Sequence, residues 1–274
     1  MPDNTQRPMR QLGPRLATGL GLAAVAVGLI CYSPWWVLGA VVTGLLLLAM
    51  AEFSRLALAG APKVEEAAGL ACAALLPWTV LAGPAAVAGA LALVPIALTC
   101  AALAAPGEPA ELMDRILKRG WGLVYLGGTF CAILIMAAQE HGRVLVLFAV
   151  GTVVAADSGA YFAGHLWGKH HMAPRLSPGK TWEGLAGGLV LAAVLGAVLA
   201  DLGLPDTTAW AGALLGMVMG LVSVVGDLLE SGLKRAAGAK DSGWVLPGHG
   251  GLLDRVDGIL AAAPVLLICR ALWW

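Results

Sequence analysis

Charge is scarce in this chain: Asp, Glu, Lys and Arg make up 12% of its 274 residues, against roughly 25% in soluble domains. With 59% hydrophobic residues and a mean hydropathy of +0.83, that scarcity excludes an ordinary soluble domain. Closely spaced cysteines are also missing. Cys31, Cys72, Cys100, Cys131 and Cys269 each lie alone in an apolar run, which argues against a disulfide framework or a zinc site. No polar stretch is long enough for a separate soluble domain. The 17 basic and 17 acidic residues cancel, so the total charge indicates no partner, and no nucleic acid is expected.

What is present is a series of apolar runs of about 20 residues, the length a helix needs to cross a bilayer while satisfying its own backbone. Nine spans are expected, near residues 15–32, 35–53, 65–82, 84–105, 120–138, 143–167, 182–203, 208–230 and 255–273. The fold class is therefore an all-α polytopic membrane protein, with residues 1–274 forming one integral membrane domain. Pro34 and Pro84 mark tight hairpins. With the N-terminus in the cytoplasm and the C-terminus outside, only Arg143 and Arg270 of the basic residues fall outside, as the positive-inside bias requires. The first span follows basic residues like a signal peptide, but it is long and leads directly into a second, so it reads as a retained anchor. Two cytoplasmic connections, EFSRLALAGAPKVEE and PGEPAELMDRILKRG, are open to two readings, as solvated connectors or as interfacial helices. In the second, Leu112, Ile116 and Leu117 lie flat at the headgroups beside Asp114, Arg115, Lys118 and Arg119.

Ionisable residues inside spans are costly and mark polar interiors. Asp157 sits well inside the sixth span. Asp227 begins a stripe at the end of the eighth, with Glu230, Ser231 and Lys234 three, four and seven residues on, all on one helix face. The ninth span opens with Asp254 and Asp257. Antiparallel neighbours would let Asp227 meet Asp254 across the hairpin. Converging carboxylates repel one another without a cation, and all-oxygen ligation suits Mg2+. Between them lie Lys234, Arg235, Lys240, His249, Arg255 and the glycines of Gly248 to Gly251, the cations and free backbone N–H groups that a polyphosphate requires. Taken singly, each of these also fits a structural role.

A second polar loop runs from Gly168 to Gly184. Its GKT fragment is not a P-loop, because Pro174 stands where that motif needs glycine. His165, His170 and His171 lack the acid partners of a helical zinc motif. Ser177, Lys180 and Thr181 lead into the seventh span, whose N-terminus near Trp182 would add a dipole favourable to phosphate.

The run S-x-L-K-R-x4-K-D-x-G-x2-L-P-x-H-G-G-L-x-D-R-V-D, Ser231 to Asp257, resembles the signature of the phosphatidate cytidylyltransferases, also called CDP-diacylglycerol synthases. ADSGAYFAG and LSPGKTWEG upstream are similar to elements of the bacterial members, so the resemblance covers roughly residues 150 to 260. It implies transfer of CMP from CTP to phosphatidate, giving CDP-diacylglycerol and pyrophosphate in phospholipid biosynthesis, with a divalent metal. By motif position Asp227 and Asp254 correspond to metal ligands, and Asp257 is expected to assist. Catalysis is expected from Asp227, Asp254, Lys234 and Arg235. Substrate binding is expected from Ser177, Lys180, Thr181, Lys240, Asp241, His249, Arg255 and Asp157. Residues 1–119 would supply N-terminal helices and 120–274 the catalytic helices and loops, at the cytoplasmic face of the inner (plasma) membrane. A second cation stays open.

A transporter is the rival from another class, but no internal repeat is evident and the charges cluster at one face rather than at mid-depth. The D-G-x2-A-R pattern of CDP-alcohol phosphotransferases is absent. A CTP-dependent lipid kinase is closer in chemistry. Gly187, Gly188 and Gly196 permit close helix packing within or between subunits, which leaves a homo-oligomer open.

Overall fold

A computed structural model describes residues 21, 24–205, 207–243 and 250–273. Residues 24–32 are helical. After them come α1 (Trp35–Ala57), α2 (Lys63–Ala82), α3 (Pro84–Leu103), α4 (Pro109–Gly122), a π turn (Leu123–Gly127), α5 (Gly128–Ala137), α6 (Gly142–Trp167), β1 (His171–Ala173), β2 (Ser177–Thr181), α7 (Trp182–Gly203), α8 (Ala209–Ala236) and α9 (Leu253–Trp273).

Among the described residues, seven helical stretches are long and apolar enough to cross a membrane: α1, α2, α3, the continuous α4–α5 stretch, α6, α7 and α8. Of the expected span 15–32, residues 15–20, 22 and 23 lie outside the described residues and 24–32 are helical, while 255–273 falls within α9. The α2–α3 hairpin turns where Pro84 predicts it, with Gly83 at φ 104 before the proline that opens α3. On α3 only Leu98 and Ala102 are buried. Its other apolar side chains form the outward face that lipid requires.

Of the two polar connections, PGEPAELMDRILKRG is helical from Pro109 on, as α4. This segment runs through the π turn into α5, and Arg115 and Arg119 pack into the protein while Lys118 stays exposed. Arg115 Nε lies 3.0 Å from Glu65 Oε1 on α2, and Arg119 is buried, while Met113 and Leu117 are exposed. The other connection forms no helix of its own. It divides between the end of α1, a turn with Gly60 at φ 81, and the start of α2.

Two apolar clusters hold the bundle together. One joins Leu46, Met50 and Phe53 of α1 to Leu123, Phe130, Leu253 and Leu260. The other joins Phe148 and Val153 of α6 to Leu215 and Met219 of α8 and Ala262 and Leu266 of α9. Thus α9 contributes its first half to one cluster and its second half to the other.

The small-residue faces pack within the chain. A Cβ at Gly159 of α6 would stand 2.5 Å from the carbonyl oxygen of Gly187 on α7, and Gly196 of α7 meets Gly212 and Gly216 of α8. At such contacts backbone approaches backbone, which only glycine allows. The Gly168–Gly184 loop folds as an antiparallel hairpin, pairing His171 with Thr181 and Ala173 with Ser177. Helix α7 begins at Trp182, capped by Thr181, whose Oγ1 accepts the Gly184 N–H at 3.1 Å.

Candidate active site

The acids of α8 and α9 meet because Gly226 has no side chain. A Cβ there would collide with the backbone oxygen of Asp257, so glycine lets the two helices touch one residue from Asp227. Offsets of three then place Asp227 and Glu230 on the same face of α8. One oxygen from each of Asp227, Glu230 and Asp257 lies within 4.8 Å of the others. Both carboxylate oxygens of Glu230 are buried without a hydrogen-bond partner. Lys234 Nζ forms an ion pair with Glu230 Oε2 at 2.6 Å. Oxygen-only donors around a buried, under-satisfied carboxylate fit a hard divalent cation such as Mg2+.

Asp254 occupies a different hub. Its Oδ1 accepts Lys234 Nζ at 2.6 Å, and its Oδ2 accepts the N–H of Ser242 and of Gly251, each at 3.0 Å, with Ser242 Oγ at 2.9 Å. Both oxygens are thus committed to one cation and two loop backbones. Behind this hub stands Glu52 of α1, with no exposed surface. Glu52 accepts the N–H of Leu252 at 3.0 Å and of Leu253 at 2.9 Å, two of the unpaired donors at the start of α9. Ser242 Oγ also lies 3.3 Å from Glu52, but its single proton serves one acid at a time.

The hairpin brings the second loop to the cluster. Lys180 Nζ lies 2.6 Å from Asp227 Oδ2, and Ser231 Oγ donates to Asp227 Oδ1 at 3.3 Å. Beside this ion pair opens a cavity of about 320 Å³, lined by Asp157, Tyr161, Ser177, Lys180, Thr181 and Asp227 among others. Its charged lining is Asp157, Asp227 and Lys180, a mix of acid and ammonium that suits a phosphate chain whose charge is shared between a metal and a cation. Glu183 fastens the base of the hairpin, accepting His170 Nδ1 at 2.6 Å and the N–H of Lys169 and His170.

The sequence pattern of the cytidylyltransferase family matches residues 14–273. The chain belongs to this family. It is 44% identical over 167 residues to a phosphatidate cytidylyltransferase of Mycobacterium leprae (strain TN), covering 60% of this chain and 52% of that protein. A phosphatidate cytidylyltransferase of Brucella suis biovar 1 (strain 1330) is 42% identical over 159 residues, 57% of this chain and 58% of its own. One of Mycobacterium bovis is 45% identical over 135 residues, 49% of this chain and 44% of its own. The chain spans about half the length of the curated relatives it matches.

In this cytidylyltransferase-family chain the structure groups the expected site residues unevenly. Asp227 and Asp257 converge, but the third acid beside them is Glu230 rather than Asp254. Lys234 bridges the two groups. Ser177, Lys180, Thr181 and Asp157 share the cavity with Asp227, although Thr181 Oγ1 is also committed to capping α7. Arg235, Lys240, Asp241 and Arg255 are exposed, and His249 lies outside the described residues. Glu52 was missed as a site residue. It follows a long apolar run in a segment that reads as an ordinary cytoplasmic end, and no local spacing signals a partner 200 residues away. Glu230 is legible as part of the α8 stripe, but its convergence with Asp257 depends on how α8 and α9 pack.

Proposed function

We propose that this chain transfers CMP from CTP to phosphatidate, producing CDP-diacylglycerol and pyrophosphate. Family membership and the names of its relatives support the reaction class. The single structural observation behind the reading is the Lys180–Asp227 ion pair, which joins the hairpin loop to three converging carboxylates beside an open cavity.

An ionised phosphate oxygen of phosphatidate attacks the α-phosphorus of CTP. The bond from that phosphorus to the oxygen bridging to the β-phosphorus breaks, and pyrophosphate leaves with the electron pair. The nucleophile is already anionic, so the site needs no strong general base. Asp227, Glu230 and Asp257 would hold Mg2+, which when bound neutralises phosphate oxygens and favours charge development on the leaving group. Lys180 and Lys234 place ammonium charge against the reacting phosphates, and Ser177 adds a hydroxyl from the hairpin. Asp254, saturated by Lys234 and two loop backbones, holds Lys234 and the loop in place. Arg235, Lys240 and Arg255, exposed at the ends of the same loop, draw the polyanion in by long-range attraction.

This reading includes nine spans, a cytoplasmic N-terminus and a site at the cytoplasmic face of the inner membrane. There soluble CTP and the lipid headgroup meet at one level. Incubation of the purified chain with phosphatidate and CTP labelled at either the α- or the γ-phosphorus tests it. The expected product is lipid carrying the α-label, lost on addition of a chelator. Lipid labelled only from the γ-position would identify a kinase instead.

A further inference from the structure

On the far side of the α1–α4 contact, a second cavity of about 300 Å³ is lined by Ser54, Arg55, Gly60, Glu66 and Arg119, among others. Arg119 is 2% exposed. Its Nη1 reaches Ser54 Oγ at a long 3.4 Å, whereas Nε and Nη2 are buried without a hydrogen-bond partner. The nearby acids do not satisfy it. Glu65 is engaged by Arg115 Nε at 3.0 and 3.2 Å, and no ion pair joins Glu66 to Arg119 among the described residues. The guanidinium also occupies a formed slot. A Cβ on Gly69 of α2 would stand 2.9 Å from Nη1 and 3.0 Å from Cδ, so glycine here makes room for the arginine.

Burying a guanidinium with donors unmet is costly, and an oxyanion satisfies those donors best because its oxygens match the planar fork. Two arginines against one glutamate leave the cavity with a net positive charge. We propose that the Arg55–Arg119 cavity is a second anion site that takes a phosphate group, either of an anionic lipid headgroup or of free phosphate. Its residues come from α1, the α1–α2 turn, α2 and α4, and it shares none with the α8–α9 acid cluster.

The test uses the full chain in phosphate-free detergent, with unfolding followed by tryptophan fluorescence. Inorganic phosphate, phosphatidylglycerol micelles and phosphatidylcholine micelles are titrated separately. Stabilisation by phosphatidylglycerol but not phosphatidylcholine identifies a headgroup, and stabilisation by inorganic phosphate identifies the free anion. In either case Arg119→Gln weakens the apparent affinity about tenfold or more, as expected for a lost charge-assisted hydrogen bond. Arg55→Gln changes an exposed side chain and should weaken binding even if Arg119→Gln does not fold. Lys118→Gln removes the same charge from the same helix, but that ammonium pairs with Asp114 at 2.6 Å, so binding is retained. The proposal is overturned by equal shifts with both lipids and none with phosphate, by undiminished binding in Arg55→Gln, or by an equal loss in Lys118→Gln.

Discussion

Glu52 Oε2 accepts the backbone N–H of Leu253 at 2.9 Å across 201 positions of sequence. This contact fastens the start of α9 to α1, and with it Asp254 and, one turn on, Asp257. Glu52→Ala should leave two backbone donors of α9 buried and unmet. It is expected to cost about 2–5 kcal/mol of stability and most of the turnover. Glu52→Gln keeps one acceptor oxygen and should retain more of both. Thermal unfolding and CMP transfer measured on the two variants check this ordering; equal behaviour would remove the capping role.

The three-acid cluster and the Asp254 hub should respond differently to neutralisation. Glu230→Gln and Asp257→Asn are expected to abolish Mg2+-dependent turnover with little loss of stability, because each removes one of several mutually repelling charges. Asp254→Asn weakens the acceptor of Lys234, Ser242 and Gly251 and should lower both activity and the unfolding temperature. Magnesium titrations of activity beside melting curves distinguish the two patterns.

Lys180→Met removes the only cation that the hairpin delivers to Asp227 among the described ion pairs. If that ammonium stabilises charge developing on the phosphates, turnover should fall on the order of 100-fold or more. Steady-state kinetics with varied CTP measure this, and a fall of less than threefold would limit Lys180 to a structural role.

Gly226→Ala would wedge α8 from α9 at the level of Asp257. A cost of about 1–3 kcal/mol is expected, together with lost activity, because the acids on the two helices separate. Gly44 on α1 has open space around its Cα, so Gly44→Ala should be neutral or slightly stabilising. Melting temperatures of the pair provide the comparison.

Much of the helical architecture is legible in the sequence, because lipid leaves the backbone few alternatives. Trp182–Gly203 coincides with its expected span. Helix α8 outruns its own by six residues, since the stripe Asp227, Glu230 and Lys234 continues the helix beyond the apolar run. The α4 segment is helical, as its amphipathic spacing suggests. Packing against α1 and α2 turned Arg115 and Arg119 inward, a choice that spacing along one helix cannot reveal.

The candidate site divides in the same way. Local spacing and composition alone determined an apolar helical bundle, an acid stripe on α8, two aspartates opening α9, and cations in two loops on one side. Tertiary structure decided which of these touch. The close approach at Gly226 set Glu230 beside Asp227 and Asp257, and the hairpin fold carried Lys180 to Asp227. Glu52, 200 residues away in sequence, committed the α9 start and left Asp254 to its own partners. Spacing governs which side chains share a face of one helix, whereas contact between helices is set by backbone packing, to which distant parts of the chain contribute equally.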